Sequence, residues 1–270
     1  MLTKNMECID KFAFHRDNQR DCILSLYPKK DEKSVFRGMV IPSLRHLGFI
    51  LGYADLIRLS ANAELLLAAK KVGGREFKKV LRAIFLEIDS IRFQFIEEMQ
   101  RPEIKNSNMN QELFTKIISE KIEAPSKRQK EERIKKWLRI LQQCELIKKE
   151  MNFIYLQEDN LEQARRDISW ESKSDIFRTI LFEEYSSISN MSAGIVDIAD
   201  LRKRVALCIY EKEKEILTER QFDELLKQLP MTTDEYIISL GHPMGAEEKL
   251  FFYKDNYYRT LSITVLKKGE

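Results

Sequence analysis

The sequence predicts an α+β protein that is predominantly helical. Apolar residues recur three or four positions apart along most of the 270 residues, which is the spacing of one face of an α-helix. Shorter runs of β-branched and aromatic residues next to turn residues indicate short strand pairs. The order of helices, strand pair and further helix occurs twice and is approached a third time. We therefore expect two or three small helical units, each with its own strands.

The chain is organised around residues 33–71, in which apolar residues have helical spacing on both sides of Pro42. Proline is favoured at the first position of a helix and disfavours helical geometry in the residue before it. A helix, a tight turn and a second helix that starts at about Pro42 are therefore predicted. Gly48 is expected to end the second helix, and a short strand around Arg58 and a helix capped by Ser60 follow.

Within this segment, the sequences PSLRHLGFI and DLIRLSANAELLLAA resemble the signature of winged-helix DNA-binding proteins. The resemblance implies that the Pro42 helix is the recognition helix. Ser43, Arg45 and His46 would then point outward, with Arg37 on the supporting helix. The alternative is that these are solvated helix residues, and winged helices also serve as protein-interaction modules, so the fold does not decide the activity.

The N-terminal part of the chain adds further candidates. Residues 1–16 have few apolar positions and are predicted to form an arm, which some DNA-binding domains use to reach a neighbouring groove. A frayed or packed N-terminus is the alternative. A short helix is expected over residues 17–27. The DNA-binding residues predicted in this first unit are Arg16, Arg20, Lys33, Ser34, Arg37, Ser43, Arg45 and His46.

A long helix is predicted to connect the first unit to the second. Residues 75–100, about seven turns of helix, carry an apolar stripe from Phe77 to Ile96. We interpret this stripe as core. Pro102 and the polar residues after it are expected to end the helix.

The second unit repeats the order of the first. Helices are predicted over residues 111–122 and 126–147, with Ser126 as the cap of the second helix. A strand pair with its turn at Met151 and Asn152 follows, and then a further helix. Together with the first unit, this order predicts tandem winged helix-turn-helix units joined by the long connecting helix.

The second helix of this unit is strongly basic. Nine Lys or Arg residues and three Glu residues lie between Lys127 and Lys149, although the net charge of the chain is only +3. Such a local excess suits contact with DNA phosphates. The alternative is a salt-bridged surface in which Glu131 and Glu132 pair with lysines at helical spacing. The DNA-binding residues predicted here are Ser126, Lys127, Gln129, Lys130, Arg133 and Lys136.

The C-terminal segment has a similar order with a different charge. Two helices, the second capped by Thr218, are followed by two strands that form a long hairpin. Ten acidic and seven basic residues lie between Asp197 and Glu235, so this segment is predicted to pack or to bind a partner rather than to contact DNA. Its best nucleic-acid candidates are Lys254, Tyr257, Tyr258 and Arg259.

Composition indicates a cytoplasmic protein. No apolar run is long enough to span a membrane, and the N-terminus lacks the apolar region of a signal peptide. Four widely spaced cysteines predict reduced thiols rather than a disulfide framework. The even spacing of Cys8, His15 and Cys22 is not a known zinc pattern. No metal ion, cofactor or small-molecule ligand is predicted.

Catalytic motifs are missing from the sequence. It contains no Gly-rich phosphate loop, HExxH or GxSxG. Asp89, Glu103 and Lys105 have a nuclease-like spacing, but the polar context around Pro102 does not predict the buried strand that would hold such a site.

The predicted function is sequence-specific binding to double-stranded DNA. The predicted segments are 1–72, 73–106, 107–188 and 189–270. Their arrangement resembles the DNA-recognition portion of type IIS restriction endonucleases, which implies an accompanying nuclease domain or subunit as partner. A transcription regulator, a replication initiator and a protein-interaction scaffold that does not bind DNA are the alternatives.

Overall fold

The computed structural model describes residues 1–53, 57–88, 95–102, 110–122, 126–170, 174–189, 194–243 and 249–266. These residues form helices and small antiparallel sheets, so the predicted α+β, mainly helical class is confirmed. The chain divides into two compact units. Unit 1 consists of residues 1–71 and 170–270, and unit 2 of residues 72–169. No helix of the described residues is long and apolar enough to cross a membrane.

Residues 1–72 begin with a packed helix and not with an arm. Met6 and Ile9 are completely buried, because they lie three positions apart on the inner face of the first helix. The arm predicted for residues 1–16 is therefore wrong, and the packed alternative is correct. The elements of this part are α1 (Leu2–Lys11), α2 (Arg16–Ser25), a π-helical segment (Lys33–Val40), α3 (Ile41–His46), β1 (Ile50–Leu51), β2 (Arg58–Leu59) and α4 (Ala61–Val72).

A disulfide between Cys8 and Cys22 joins α1 to α2. The prediction of reduced thiols is wrong for this pair, because two helices in contact can bring together cysteines that show no paired spacing in the sequence. The other two cysteines, Cys144 and Cys208, are free.

The turn predicted before Pro42 is absent from the structure. The π-helical segment passes directly into α3, so the chain stays helical from Lys33 to His46. The α-helical part does begin at Ile41, one residue before the predicted start. A proline and a π-helical turn both interrupt the α-helical hydrogen-bond ladder without ending a helix, which explains why Pro42 marks an irregularity rather than a turn.

The short ribbon and the cap that follow are confirmed. Strands β1 and β2 pair in antiparallel register, with Ile50 opposite Leu59. The Ser60 hydroxyl oxygen accepts the backbone N–H of Ala63 at 3.4 Å and so caps α4.

Unit 2 is built around an aromatic core. The ring of Trp137 lies 6.2 Å from that of Phe85 and 6.5 Å from that of Phe95, and Phe95 also contacts Phe114. This confirms the apolar stripe as core. The elements of this unit are α5 (Gly74–Leu86), α6 (Glu97–Met99), α7 (Gln111–Lys121), α8 (Lys127–Gln143), β3 (Ile147–Glu150), β4 (Phe153–Leu156) and α9 (Glu158–Asp167).

The long connecting helix is wrong as predicted. Helix α5 ends at Leu86, with Glu87 as its C-cap, and residues 89–94 lie outside the described residues. Phe95 and Ile96 are nevertheless buried in the same unit. The stripe therefore supplies one core through separate elements and not through one continuous helix.

Helix α7, the start of α8 and the hairpin after it are confirmed, but α8 ends at Gln143 and not at Ile147, which is the first residue of β3. Ser126 caps α8 by accepting the N–H of Gln129 at 3.3 Å, and the hairpin turns at Met151 and Asn152. Asn110, just before α7, pairs with Phe153 as an isolated antiparallel bridge. The start of α7 is thereby joined to the hairpin that follows α8.

The C-terminal part of unit 1 contains a three-stranded sheet in the order β5-β9-β6 and a separate hairpin, β7-β8. Its helices pack on the sheet through a core that includes Phe177, Leu201 and Phe222. Thr218 and Gln221 form the capping box of the last helix, as predicted for Thr218. The elements are α10 (Ser174–Ser189), β5 (Val196–Asp197), α11 (Ile198–Glu213), α12 (Glu219–Gln228), β6 (Tyr236–Gly241), β7 (Phe251–Tyr253), β8 (Asn256–Tyr258) and β9 (Thr260–Val265). Helix α10 was not among the predicted elements.

Candidate nucleic-acid interface

Helix α8 presents a basic face to solvent. Ile134, Trp137 and Leu141 are buried and lie on one side of the helix. At 3.6 residues per turn, a second set of residues of α8 projects from the opposite side of the helix. They are Arg128, Glu132, Lys135, Lys136 and Arg139, all of them exposed.

The positive charge of this face is largely unneutralised. Arg128 pairs with Glu132 at 3.2 Å, an exposed ion pair of the kind that contributes little to stability. Within the described part of the chain, Lys135, Lys136 and Arg139 form no salt bridge. The predicted alternative, in which Glu131 and Glu132 pair with Lys135 and Lys136, is therefore not observed in the described residues.

The predicted residues of α8 have different roles. Lys127 and Lys136 are exposed, as contact with a ligand requires. Lys130 is half-buried, and its Nζ donates to the Ser119 carbonyl oxygen at 3.0 Å, so it ties α8 to α7. The Ser126 hydroxyl is used as the cap of the helix, with Gln129 exposed beside it. The side chain of Arg133 lies outside the described residues.

Sequence reasoning missed Arg128, Lys135 and Arg139. The predicted residues lie mainly at the N-terminal end of the helix, whereas these three extend along its whole outer face. A helical projection centred on the buried Trp137 would have found them, since each lies on the side opposite that ring.

The C-terminal end of α8 is held against α5. Arg82 donates from Nη1 to the Cys144 carbonyl oxygen at 3.4 Å, and Lys78 pairs with Glu145 at 2.5 Å. The hydrogen bond from Lys78 lowers the pKa of Glu145, and burial raises the pKa of the Cys144 thiol to about 12. The thiol is therefore neutral, and the basic face sits on a helix anchored at both ends.

The hairpin after α8 is also basic. Lys148 and Lys149 on β3 are both exposed, and Lys148 pairs with Glu150. Lys149 lies opposite Ile154 of β4 in the register. Exposed lysines therefore occur on both elements, the helix and the hairpin that follows it.

Three of the arginines predicted to bind DNA in residues 1–72 gather around one groove. Arg16, Arg37 and Arg45 surround a groove of about 330 Å³ whose apolar floor includes Phe36 and Pro42. The sequence did not indicate that these arginines are neighbours, because Arg16 is on α2 and the other two are on the helical run that ends at His46.

Arg45 does not project from an exposed face as predicted. Its guanidinium is half-buried, donates from Nη2 to the Gly52 carbonyl oxygen at 2.7 Å and lies 4.7 Å from the centre of the Tyr53 ring. The reason is that α3 has only six residues, so that Arg45 meets the connection between β1 and β2. Arg45 therefore has a structural role in this state of the protein.

Some of the other predicted DNA-binding residues in residues 1–72 form ion pairs or hydrogen bonds within the chain. Arg20 pairs with Asp17 at 2.9 Å and with Asp21 at 3.0 Å. Ser34 donates to the Asp31 carboxylate from its side chain and from its backbone N–H. These two hydrogen bonds lower the pKa of Asp31. Three of the residues, Lys33, Arg37 and His46, are exposed, and Ser43 is half-buried.

Within unit 1, the C-terminal segment (residues 170–270) packs against the first segment (residues 1–71) through polar contacts. The N–H groups of Asn62 and Glu219 each donate to the side chain of the other residue, at 3.3 and 3.0 Å. Burial would raise the pKa of Glu219, but Lys249 and Arg202 lower it below its ordinary value. The N-terminus of α12 is thus covered by α4 inside unit 1.

Comparisons of the chain with known protein families, curated protein sequences and solved structures gave no match. In the described residues, no group of three or more His, Cys, Asp or Glu side chains is arranged to hold a metal ion. The function of the chain has to be inferred from its own surfaces, of which the outer face of α8 has the clearest excess of one charge.

Proposed function

We propose that the chain binds double-stranded DNA, and that unit 2 is a winged helix whose second helix, α8, enters the major groove. The observation that carries this proposal is the exposed face of α8, on which Lys135, Lys136 and Arg139 have no carboxylate partner in the described residues. Such a face would gain most from phosphates, because each neutralised phosphate releases condensed counterions.

The order of elements in unit 2 supports this proposal. Helix α7 is followed by a short connection, by α8 and by the β3-β4 hairpin, and the bridge between Asn110 and Phe153 adds a third strand position before α7. In helix-turn-helix proteins the second helix lies in the major groove and the elements beside it contact the backbone. Lys148 and Lys149 on the hairpin would be placed for backbone contact.

The C-terminal segment has a related order but a different proposed role. Helix α10, strand β5, helices α11 and α12 and the β6-β9 pair follow one another as in a winged helix. The N-terminus of α12 is occupied by Asn62 of α4. We propose that this segment is a packing module, while α8 makes the main contact with DNA.

The wider hypothesis is that of a target-recognition chain. This hypothesis adds sequence preference, a cytoplasmic location and an accompanying nuclease, as in type IIS restriction endonucleases, to duplex binding. A second candidate is a scaffold whose winged helices bind only proteins. The polar packing of α12 against α4 favours the scaffold, because one helix that could bind DNA is used for packing instead.

Salt-dependent binding separates these two functions. We expect the full chain to bind a duplex of random sequence at low salt, with an affinity that falls linearly with the logarithm of salt concentration. The triple variant Lys135→Ala, Lys136→Ala and Arg139→Ala should lose affinity for all duplexes and reduce the slope by about 2.7, which is about 0.9 for each of three phosphates.

A charge-matched variant provides the control. Arg204, Lys212 and Lys227 lie on α11 and α12 and are each near a carboxylate partner. Their replacement by alanine removes the same charge and should change the slope much less. Equal effects of the two triple variants would contradict a specific role for α8, and no binding to any duplex at low salt would favour the scaffold.

A further inference from the structure

Unit 1 contains a mixed aromatic and polar cleft that the proposed function does not use. The cleft has a volume of about 470 Å³, within the usual range of small-ligand sites. It lies between the first segment, which contributes residues around β1 and β2, and the C-terminal segment, which contributes the start of α11 and the end of β8. The residues that matter for its chemistry are Phe14, Tyr53, Arg58, Asp197, Asp200 and Tyr258.

Aromatic rings line the cleft from both segments. Phe14 and Tyr53 are each 50% exposed, although large aromatic side chains are usually buried. Tyr258 faces the cleft from β8 and stacks on His242, with ring centres 4.9 Å apart. A flat aromatic ligand could therefore stack on rings that are already in place.

The backbone of Phe14 is strained at this position. Its φ is +66°, in the left-handed region that bulky residues rarely adopt, and its N–H donates to the Ile57 carbonyl oxygen at 3.3 Å. Such strain is costly and clusters at binding sites. Here the conformation holds the phenyl ring at the mouth of the cleft, within 5.9 Å of the Arg58 guanidinium.

Donors and acceptors alternate along the polar wall. Arg58 forms a close ion pair with Asp200 and lies 3.8 Å from Asp197, which also accepts from Arg259 at 3.1 Å. Lys249, at the edge of the cleft, is paired with Glu219. Because these opposite charges balance, the wall does not favour a phosphate. It instead offers guanidinium donors next to carboxylate acceptors.

We propose that this cleft binds a single unpaired nucleobase. A base is flat, fits between aromatic side chains, and carries acceptors on its edge, to which adenine, guanine and cytosine add an exocyclic amino donor. The Arg58 guanidinium would donate to a ring nitrogen or carbonyl oxygen, and the Asp200 carboxylate would accept from an amino group. The base comes either from a free nucleoside or from a nucleotide displaced from a duplex. This inference concerns unit 1 and does not depend on DNA binding by α8.

Calorimetric titration of the full chain tests the proposal. The probes are adenosine, guanosine, cytidine and thymidine, and two matched duplexes, one fully paired and one with a single unpaired nucleotide. We expect at least one nucleoside to bind, or the duplex with the unpaired nucleotide to bind more tightly than the fully paired duplex. Nucleoside binding without a preference between the duplexes identifies a free ligand, and a preference between the duplexes identifies a base in DNA.

Variants on the two faces of one strand locate the site. Tyr258→Leu should weaken binding by about 5-fold to 150-fold, the loss expected for one stacking contact of about 1–3 kcal/mol. Tyr257→Leu is the matched control, because Tyr257 is the neighbouring residue of β8, is 57% exposed and does not line the cleft. Its effect should stay within twofold.

A polar variant keeps the test decisive if Tyr258→Leu does not fold, which circular dichroism would reveal. Asp200→Asn should reduce the preference for bases that carry an exocyclic amino group over thymine, since the amide has one acceptor oxygen and replaces the other with an NH₂ donor. The absence of binding by all four nucleosides and by the unpaired duplex at millimolar concentration would overturn the proposal. Equal losses in Tyr258→Leu and Tyr257→Leu would overturn the assignment to the cleft.

Discussion

Reduction of the disulfide between Cys8 and Cys22 should destabilise unit 1 by about 3 kcal/mol. The two cysteines are 14 residues apart, and closing a loop of this length removes chain entropy from the unfolded state worth about 3 kcal/mol at 25 °C. For a domain of 150–250 residues, each kcal/mol shifts the melting temperature by about 2–4 °C. Unit 1 is of this size, so its transition should fall by about 6–12 °C.

The assay is thermal unfolding of the full chain, followed by circular dichroism with and without reductant. The oxidised chain is prepared in a glutathione buffer, and alkylation under denaturing conditions counts its free thiols. Cys8→Ser combined with Cys22→Ser should reproduce the effect of reductant and abolish any further effect of it. Cys208→Ala is the control, because it removes a thiol that forms no disulfide. Four reactive thiols in the oxidised chain, or an unchanged transition after reduction, would refute this reasoning.

Two further perturbations test the packing of each unit. Glu219 has a lowered pKa, so the unfolded state binds its proton more tightly and the carboxylate stabilises the fold above pH 4.5, a contribution that is lost as the pH falls through the folded pKa. In urea unfolding, Glu219→Gln should therefore lower stability at neutral pH and flatten its decline below pH 4.5, whereas Glu235→Gln, at an exposed position, should leave the decline unchanged. Phe114→Ala should destabilise unit 2 by about 3–5 kcal/mol, while Leu113→Ala on the same helix, 53% exposed, should cost less than about 0.5 kcal/mol; similar costs would contradict the orientation of α7.

Local signals in the sequence were sufficient for many of the elements. Ser60, Ser126 and Thr218 each cap the helix that follows, because a hydroxyl before an apolar-periodic run satisfies a free backbone N–H and does so regardless of tertiary context. The turn at Met151 and Asn152 was likewise evident from its flanking strands. These features depend on residues only a few positions apart.

Features that depend on distant residues could not be predicted. The disulfide and the contact of Arg45 with the β1-β2 connection both follow from how separate segments meet. Periodicity alone cannot distinguish one long apolar helix from two that share a core. The cleft around Arg58 and Asp200 joins residues 142 positions apart, so no local pattern could indicate it.

Only part of the candidate DNA-binding face was predicted, because the burial of Trp137 is also a tertiary feature. The basic excess of α8 is a property of composition, and the sequence shows it directly. Which lysines face solvent depends on the side of the helix that Trp137 buries. Lys130 was therefore assigned to the surface although it bonds to Ser119, and Lys135 was left out.

The division of unit 1 into two stretches of sequence has a consequence for its synthesis. Residues 72–169 form a unit of their own and leave the ribosome before the second stretch of unit 1 has been translated. At about 5–20 residues per second, translation of the last 101 residues takes about 5–20 s. During this interval, the residues of the first segment that later meet the C-terminal segment, such as Asn62 and Arg58, have no counterpart on the nascent chain. Unit 2 can fold during translation, whereas unit 1 must wait for residues 170–270, and a chaperone that binds nascent chains would meet the first segment in this exposed state.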